Sequence, residues 1–247
     1  LAVAIEVSPH AIAYNQKKPQ LFTMSAISTI LNLPPLESGD RLTRYEFERR
    51  YWAMPSTKKA ELIEGVVYVA SPVRTTRHGR PHAAIIGWLF VYKATTPGVD
   101  LQDNATVRLD ADNEVQPDAL LRLEVGGTSS ISEDDYIDGV PELIAEVAAS
   151  SASYDLNDKF NAYRRNGVKE YLVWQSYENR LDWFRLREGR YVALEPDEQG
   201  IIRSEAFPGL WLSVAALQRE DLGEVLGVLQ EGLQTSEHRE FAAGLNA

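Results

Sequence analysis

Apolar residues recur at helical spacing from His82 to Tyr92, which predicts a helix that ends before Pro97-Gly98. An earlier helix is expected over Leu42–Trp52, where Thr43 followed three residues later by Glu46 has the pattern of a capping box. Between the two, Glu61-Leu62-Ile63 and Val66-Val67-Tyr68-Val69 read as short strands about a Glu64-Gly65 turn. Strands then dominate at Ala105–Leu109, Asp118–Leu123 and Leu143–Val147, with Asp112-Asn113 turning between the first two. A helix from about Ser153 to Arg165 is stopped by Asn166-Gly167. Glu170–Trp174, Arg180–Leu186 and Tyr191–Leu194 follow as strands, and the chain beyond Trp211 reads as helix with a polar tail.

Strands outnumber helices and their order is mixed, so the expected fold is a single α/β domain around a mixed sheet. Residues 1–40 read as an N-terminal extension, punctuated by Lys17-Lys18-Pro19 and Pro34-Pro35. Residues 41–218 form the domain proper and 219–247 a C-terminal helix and tail. No internal repeat or low-complexity block interrupts this plan.

Composition narrows the chemistry. Five Trp and eleven Tyr within a 44% hydrophobic chain supply ample material for a core. With no cysteine, disulfides and thiolate metal sites are excluded, so any metal must be held by oxygen or imidazole, which favours magnesium or manganese. No apolar run approaches a membrane span, and Leu1–Ile5 is too short and lacks the basic flank of a signal peptide, so a cytoplasmic protein is expected. The net charge of −11 argues against a general nucleic-acid coat, because phosphate affinity rests on Lys and Arg.

Against that background two acids stand out. Pro117-Asp118 opens one apolar strand, and Glu146 sits inside another, Glu142-Leu143-Ile144-Ala145-Glu146-Val147. A carboxylate is costly to bury, so Glu146 needs a metal, a proton or a cation to account for it; a structural partner such as Arg164 is the alternative. Asp118 is more open than Glu146 to a structural reading, since an Asp after proline at a strand start is often just a turn residue. Lys159 is a candidate electrostatic group for a phosphoryl transition state, or else the surface partner of Asp155 four residues before it. His78 and His82 lie at a helix start, suited to phosphate contact, water activation or simple capping. Arg74, Arg77 and Arg80 beside them form a compact basic cluster that would guide a phosphate backbone or merely solvate a loop.

Taken together, Pro117-Asp118, Glu142–Val147, Ser150-Ser151, Asp155, Lys159, Tyr163 and Gly167–Trp174 resemble the Uma-two family of restriction-endonuclease-like proteins, within the PD-(D/E)XK nuclease superfamily. The similarity runs from Glu61–Gly65 to Pro208–Leu212. It implies a restriction-endonuclease-like mixed β-sheet core flanked by helices, and a Mg2+- or Mn2+-dependent endonuclease acting on DNA. By that resemblance Asp118 and Glu146 are the metal-binding acids, Glu61 an additional acid and His82 an accessory residue. The superfamily's usual lysine would fall at Ala148; the family's helix-borne lysine corresponds instead to Lys159, whose long stem suits it to reach the same point. Cutting both strands of a duplex is most simply done by two copies about a two-fold axis, so a homodimer is expected. Two other readings compete: a fold-retaining binding module without catalysis, favoured by the acidic charge, and a carboxylate-pair glycosidase, which leaves Lys159 without a role.

Overall fold

Two strands, Leu143–Ala148 and Glu170–Gln175, are buried along their whole length, as expected of apolar runs at the centre of a sheet covered on both faces. In the computed structural model, which describes residues 33–54, 59–70, 74–149 and 155–245, these two pair in parallel at the heart of a six-stranded sheet. The chain divides into residues 1–34 and residues 35–247, and only the second unit is treated below. Most of the expected N-terminal extension, up to residue 32, and the segment Ser150–Tyr154 lie outside the described residues.

In chain order the elements are α1 (Arg44–Ala53), β1 (Ala60–Ile63), β2 (Val66–Val69), a wide turn (Thr75–Gly79) running into α2 (Arg80–Thr95), and β3 (Val99–Asp103). Five short or apolar strands follow, β4 (Val107–Arg108), β5 (Glu114–Val115), β6 (Ala119–Leu123), β7 (Ser129–Ile131) and β8 (Ile137–Gly139), and then β9 (Leu143–Ala148). A second wide turn (Asp155–Lys159) leads into α3 (Phe160–Asn166), β10 (Glu170–Gln175), β11 (Arg180–Arg187), β12 (Arg190–Ala193), β13 (Ile201–Arg203) and β14 (Trp211–Ser213). The helices α4 (Val214–Gln218), α5 (Leu222–Leu233) and α6 (Ser236–Leu245) complete the described chain.

Two mixed sheets result, ordered β2-β1-β5-β4-β8-β7 and β12-β11-β10-β9-β6-β3, with β13-β14 as a separate hairpin pair. The alternation of β9 and β10 divides the core in two. Leu143, Ala145, Val147, Leu172 and Trp174 pack with Trp88 and Leu89 of α2 and Leu229 of α5. Ile144, Ala148, Tyr171 and Val173 face the other way, onto Tyr163 of α3 and onto Ile63, Val107 and Val115 of the first sheet. The second sheet is therefore layered between helices on one face and the first sheet with α3 on the other.

Several local expectations are met for their stated reasons. The Thr43 hydroxyl accepts from the Glu46 N–H at the start of α1, while the Glu46 carboxylate turns outward to Arg49 and Arg50. α3 ends at Gly167, whose φ of 92° is the left-handed conformation a glycine C-cap provides. Two expectations change. The Asp112-Asn113 turn joins β4 to β5 rather than to β6, because the two-residue strand Glu114–Val115 pairs back on β4 and β1. The region read as a polar tail forms helix α6, with His238 buried against Thr96. No helix among the described residues is long and apolar enough to cross a membrane.

The first sheet also buries an acid away from the main site. Glu114 is 7% exposed, beside Glu48 and 3.7 Å from Arg108 Nε. Burial and then the Glu48 carboxylate push its carboxyl from the ordinary 4.5 up to about 8. The folded protein thus holds a proton that the unfolded chain releases; that stabilisation is complete below about pH 4.5 and lost as pH rises through about 8. Glu114→Gln stays neutral, so relative to wild type it is expected to gain on the order of 2–4 kcal/mol between acid and mildly alkaline pH. Urea unfolding across that range checks it, and parallel stability profiles for the two proteins would refute the assignment.

Candidate active site

Proline lacks a ladder donor, and β6 begins only after Pro117-Asp118, so Asp118 is delivered at the strand's very end. β6 and β9 pair antiparallel with Ala119 opposite Ala145, which sets Asp118 across from Glu146. Directly opposed residues of an antiparallel pair share a face. Two carboxylates therefore meet at one point of the sheet, on the side packed against α3.

Their surroundings compensate them. The Asp118 carboxylate accepts from the Val147 N–H at 2.8 Å and lies 3.1 Å from His78 Nε2. Burial would raise its pKa, but His78 and the Val147 N–H outweigh burial and hold it below the ordinary aspartate value. Glu146, 3% exposed, receives the Lys159 ammonium at 2.9 Å and the Tyr163 hydroxyl at 2.8 Å on one oxygen, while its other meets the Asp118 N–H at a long 3.4 Å. Burial drives its carboxyl well above the carboxylate range; Lys159 pulls the opposite way, and Asp118, Asp155 and Glu61 add to the rise.

Lys159 is the hub. Its Nζ lies 3.0 Å from Glu61, 2.9 Å from Glu146 and 3.8 Å from Asp155, and the side chain is 4% exposed. Burial alone would depress the ammonium, but these carboxylates hold it well above the ordinary lysine value. Glu61 reaches it from β1 and also accepts the Gln116 N–H at 2.7 Å, so the amides flanking Pro117 point at Glu61 and Glu146. The turn carrying Lys159 is anchored from both sheets: Tyr68 of β2 donates to Asp158, and Tyr171 of β10 donates to the Asp155 carbonyl.

Asp118, Glu146, Lys159 and Glu61 thus converge within one connected cluster. His82 contacts Asp118 through the backbone carbonyl at 2.9 Å and also Asp103 at 3.1 Å, whereas His78 is the histidine on the carboxylate itself. Arg164 is not the partner of Glu146: it donates to the Gly189 carbonyl. Nor is Lys159 a surface partner of Asp155, since both are buried. Tyr163 and Asp155 complete the cluster without having been singled out as site residues. Their signal is their spacing, four residues on either side of Lys159, which places all three on one face of the turn and helix.

The donor chemistry fits a hard divalent cation. Asp118 and Glu146 offer carboxylate oxygens from adjacent strands, and the Glu146 oxygen that meets only a long contact with Asp118 N is well placed to take part. Among the described residues no group of three or more His, Asp and Glu is arranged to enclose a metal. Such an ion would be completed by water or phosphate oxygens, as magnesium commonly is.

Comparisons with known proteins agree with this architecture. A crystal structure of a protein from Anabaena variabilis, described as a putative nuclease belonging to DUF820, superposes with a TM-score of 0.52 at 12% identity, covering 69% of this chain and 96% of that one. At that identity the likeness shows the fold alone, a mixed α/β fold. No curated protein matches this chain. A family model, Uma2, described as "Putative restriction endonuclease", matches residues 44–215, which contain Glu61, Asp118, Glu146 and Lys159. The chain belongs to the Uma2 family of restriction-endonuclease-like proteins.

Proposed function

We propose that this protein is a metal-dependent endonuclease that hydrolyses phosphodiester bonds in DNA. The observation that carries it is the meeting of Asp118 and Glu146 across adjacent strands with the Lys159 ammonium on Glu146. Asp118 and Glu146 are the metal ligands, Lys159 the electrostatic residue, Glu61 the acid that steers Lys159, and His78 and His82 the residues that fix Asp118. When bound, magnesium or manganese supplies Lewis-acid polarisation of the phosphate and a more acidic water. The chain's own part is positioning. The Val147 N–H and His78 orient the Asp118 carboxylate, and Tyr163 and Lys159 orient that of Glu146. Lys159, on a four-carbon stem and already desolvated, stabilises negative charge that grows on the phosphate in the transition state. The protein acts in the cytoplasm as a homodimer, whose two sites reach both strands.

Plasmid cleavage tests this. Supercoiled DNA at low salt is expected to be nicked and linearised on titration with Mg2+ or Mn2+, and protected by chelation, by a species that light scattering weighs as a dimer. A second reading, a non-catalytic binding module, is favoured by one observation: Lys159 already balances Glu61 and Glu146. Failure to cut DNA in either metal at any salt would hand the protein to that reading.

A further inference from the structure

A cationic and aromatic group lies immediately beside the carboxylates. The wide turn that brings His78 to Asp118 also carries Arg74 at its start and Arg77 next to His78. Arg74 Nη1 donates to the Tyr177 hydroxyl at 3.1 Å, Arg77 Nη1 donates to the Ser176 carbonyl, and the Arg77 guanidinium lies 5.0 Å from the Tyr177 ring centroid. Ser176 and Tyr177 follow β10, where Val173 stands opposite Glu146 and the Ser176 N–H bonds the Ala148 carbonyl. The group is therefore tied by two separate backbones to Asp118 and Glu146.

Its charge balance differs from that of most arginines in the described chain. Most described arginines sit within ion-pair distance of a carboxylate, as Arg50, Arg122 and Arg165 do. Among the described residues no ion pair to a carboxylate is formed by Arg74, Arg77 or Arg80, although the protein carries a net charge of −11. Tyr177 is 46% exposed although a guanidinium lies against its ring and its hydroxyl is held. A fixed ring with accessible surface, next to two cations with no acidic partner among the described residues, has the makings of a stacking platform beside phosphate contacts.

Resting on the nuclease reading above, we propose that Arg74, Arg77 and Tyr177 form a strand-binding subsite. The two guanidinium groups take successive phosphates and the Tyr177 ring takes an unpaired base, so the enzyme engages single-stranded or frayed nucleic acid next to its carboxylates. A duplex keeps its bases stacked on one another and offers the ring nothing, whereas its phosphates still meet the arginines.

Fluorescence anisotropy tests this with a short labelled single strand and the same sequence as a blunt duplex, in Ca2+ without Mg2+, across a salt series. Tyr177→Ala is expected to weaken the single strand about tenfold and the duplex little, while Tyr177→Phe, which keeps the ring, retains binding. Arg74→Ala with Arg77→Ala is expected to flatten the salt dependence on the single strand by about 1.4 in log–log slope, roughly 0.7 for each phosphate contact. Arg190→Ala with Arg239→Ala removes the same charge from other exposed positions and is expected to leave the slope unchanged. Equal loss on both probes in Tyr177→Ala, or equal slopes for the two double variants, overturns the subsite alone. A wild type that binds neither probe overturns the subsite together with the nuclease reading.

Discussion

Glu146→Gln is expected to lower DNA cleavage by a factor of about a thousand or more and to remove measurable Mn2+ binding, while the protein stays folded. The separation of these effects follows from which atoms Glu146 uses. Its first oxygen accepts from Lys159 and Tyr163, and a glutamine carbonyl can accept both. The amide nitrogen would then replace the second oxygen, whose contact with the Asp118 N–H is already long at 3.4 Å, so little is lost there. What disappears is the second oxygen, which a metal ion would take by displacing the carboxyl proton. A variant that titrates Mn2+ like wild type by calorimetry, or cuts within about tenfold of it, would remove Glu146 from the metal site. Asp118→Asn makes the companion case, because its remaining oxygen can still take the Val147 N–H and the His78 ring.

That site is visible in the sequence unevenly, for physical reasons. Glu146 stands out because an acid within Leu-Ile-Ala-Glu-Val-Ala breaks a run that is otherwise uniformly apolar, and such a run is buried on both faces. Asp118 has only its position after Pro117, which marks turns as readily as strand ends; pairing across to β9 is a long-range event that no local spacing encodes. Lys159 is harder still. Asp155 and Lys159 at four-residue spacing make the commonest of surface pairs, and nothing in the spacing tells that Glu61 from β1 arrives on the same ammonium.

The same contrast holds for the fold. β9, β10, α2 and the Thr43 cap follow from pattern and chemistry, because each is long or carries a defined start signal. Ser129–Ile131, Ile137–Gly139 and Glu114–Val115 are too short for any period to register, and they are strands only because neighbours are present to pair with them. Helix α6 hides its buried His238 among charged residues, so its composition reads as tail.

Burial changes what removing Lys159 should do. Were it a surface partner of Asp155, Lys159→Met would cost under about 0.5 kcal/mol. Instead the ammonium sits between Glu61, Glu146 and Asp155, all nearly inaccessible, and its loss leaves buried carboxylates without their cation. Breaking a buried ion pair from one side typically costs about 3–5 kcal/mol, so Lys159→Met is expected to lose stability on that scale together with about a hundredfold or more in turnover. Two further results should accompany the loss. Adding Glu61→Gln removes one of the stranded charges, so the double variant should be more stable than the sum of the single changes by on the order of 1 kcal/mol or more. A divalent ion bound to Glu146 and Asp118 stabilises by mass action, about 2.7 kcal/mol at a hundred times its Kd, and in the variant it also relieves carboxylate repulsion. Manganese should therefore raise the urea midpoint of Lys159→Met by more than that of wild type. A variant as stable as wild type without metal, or one that manganese leaves unmoved, would mean that the ammonium does not hold these carboxylates together.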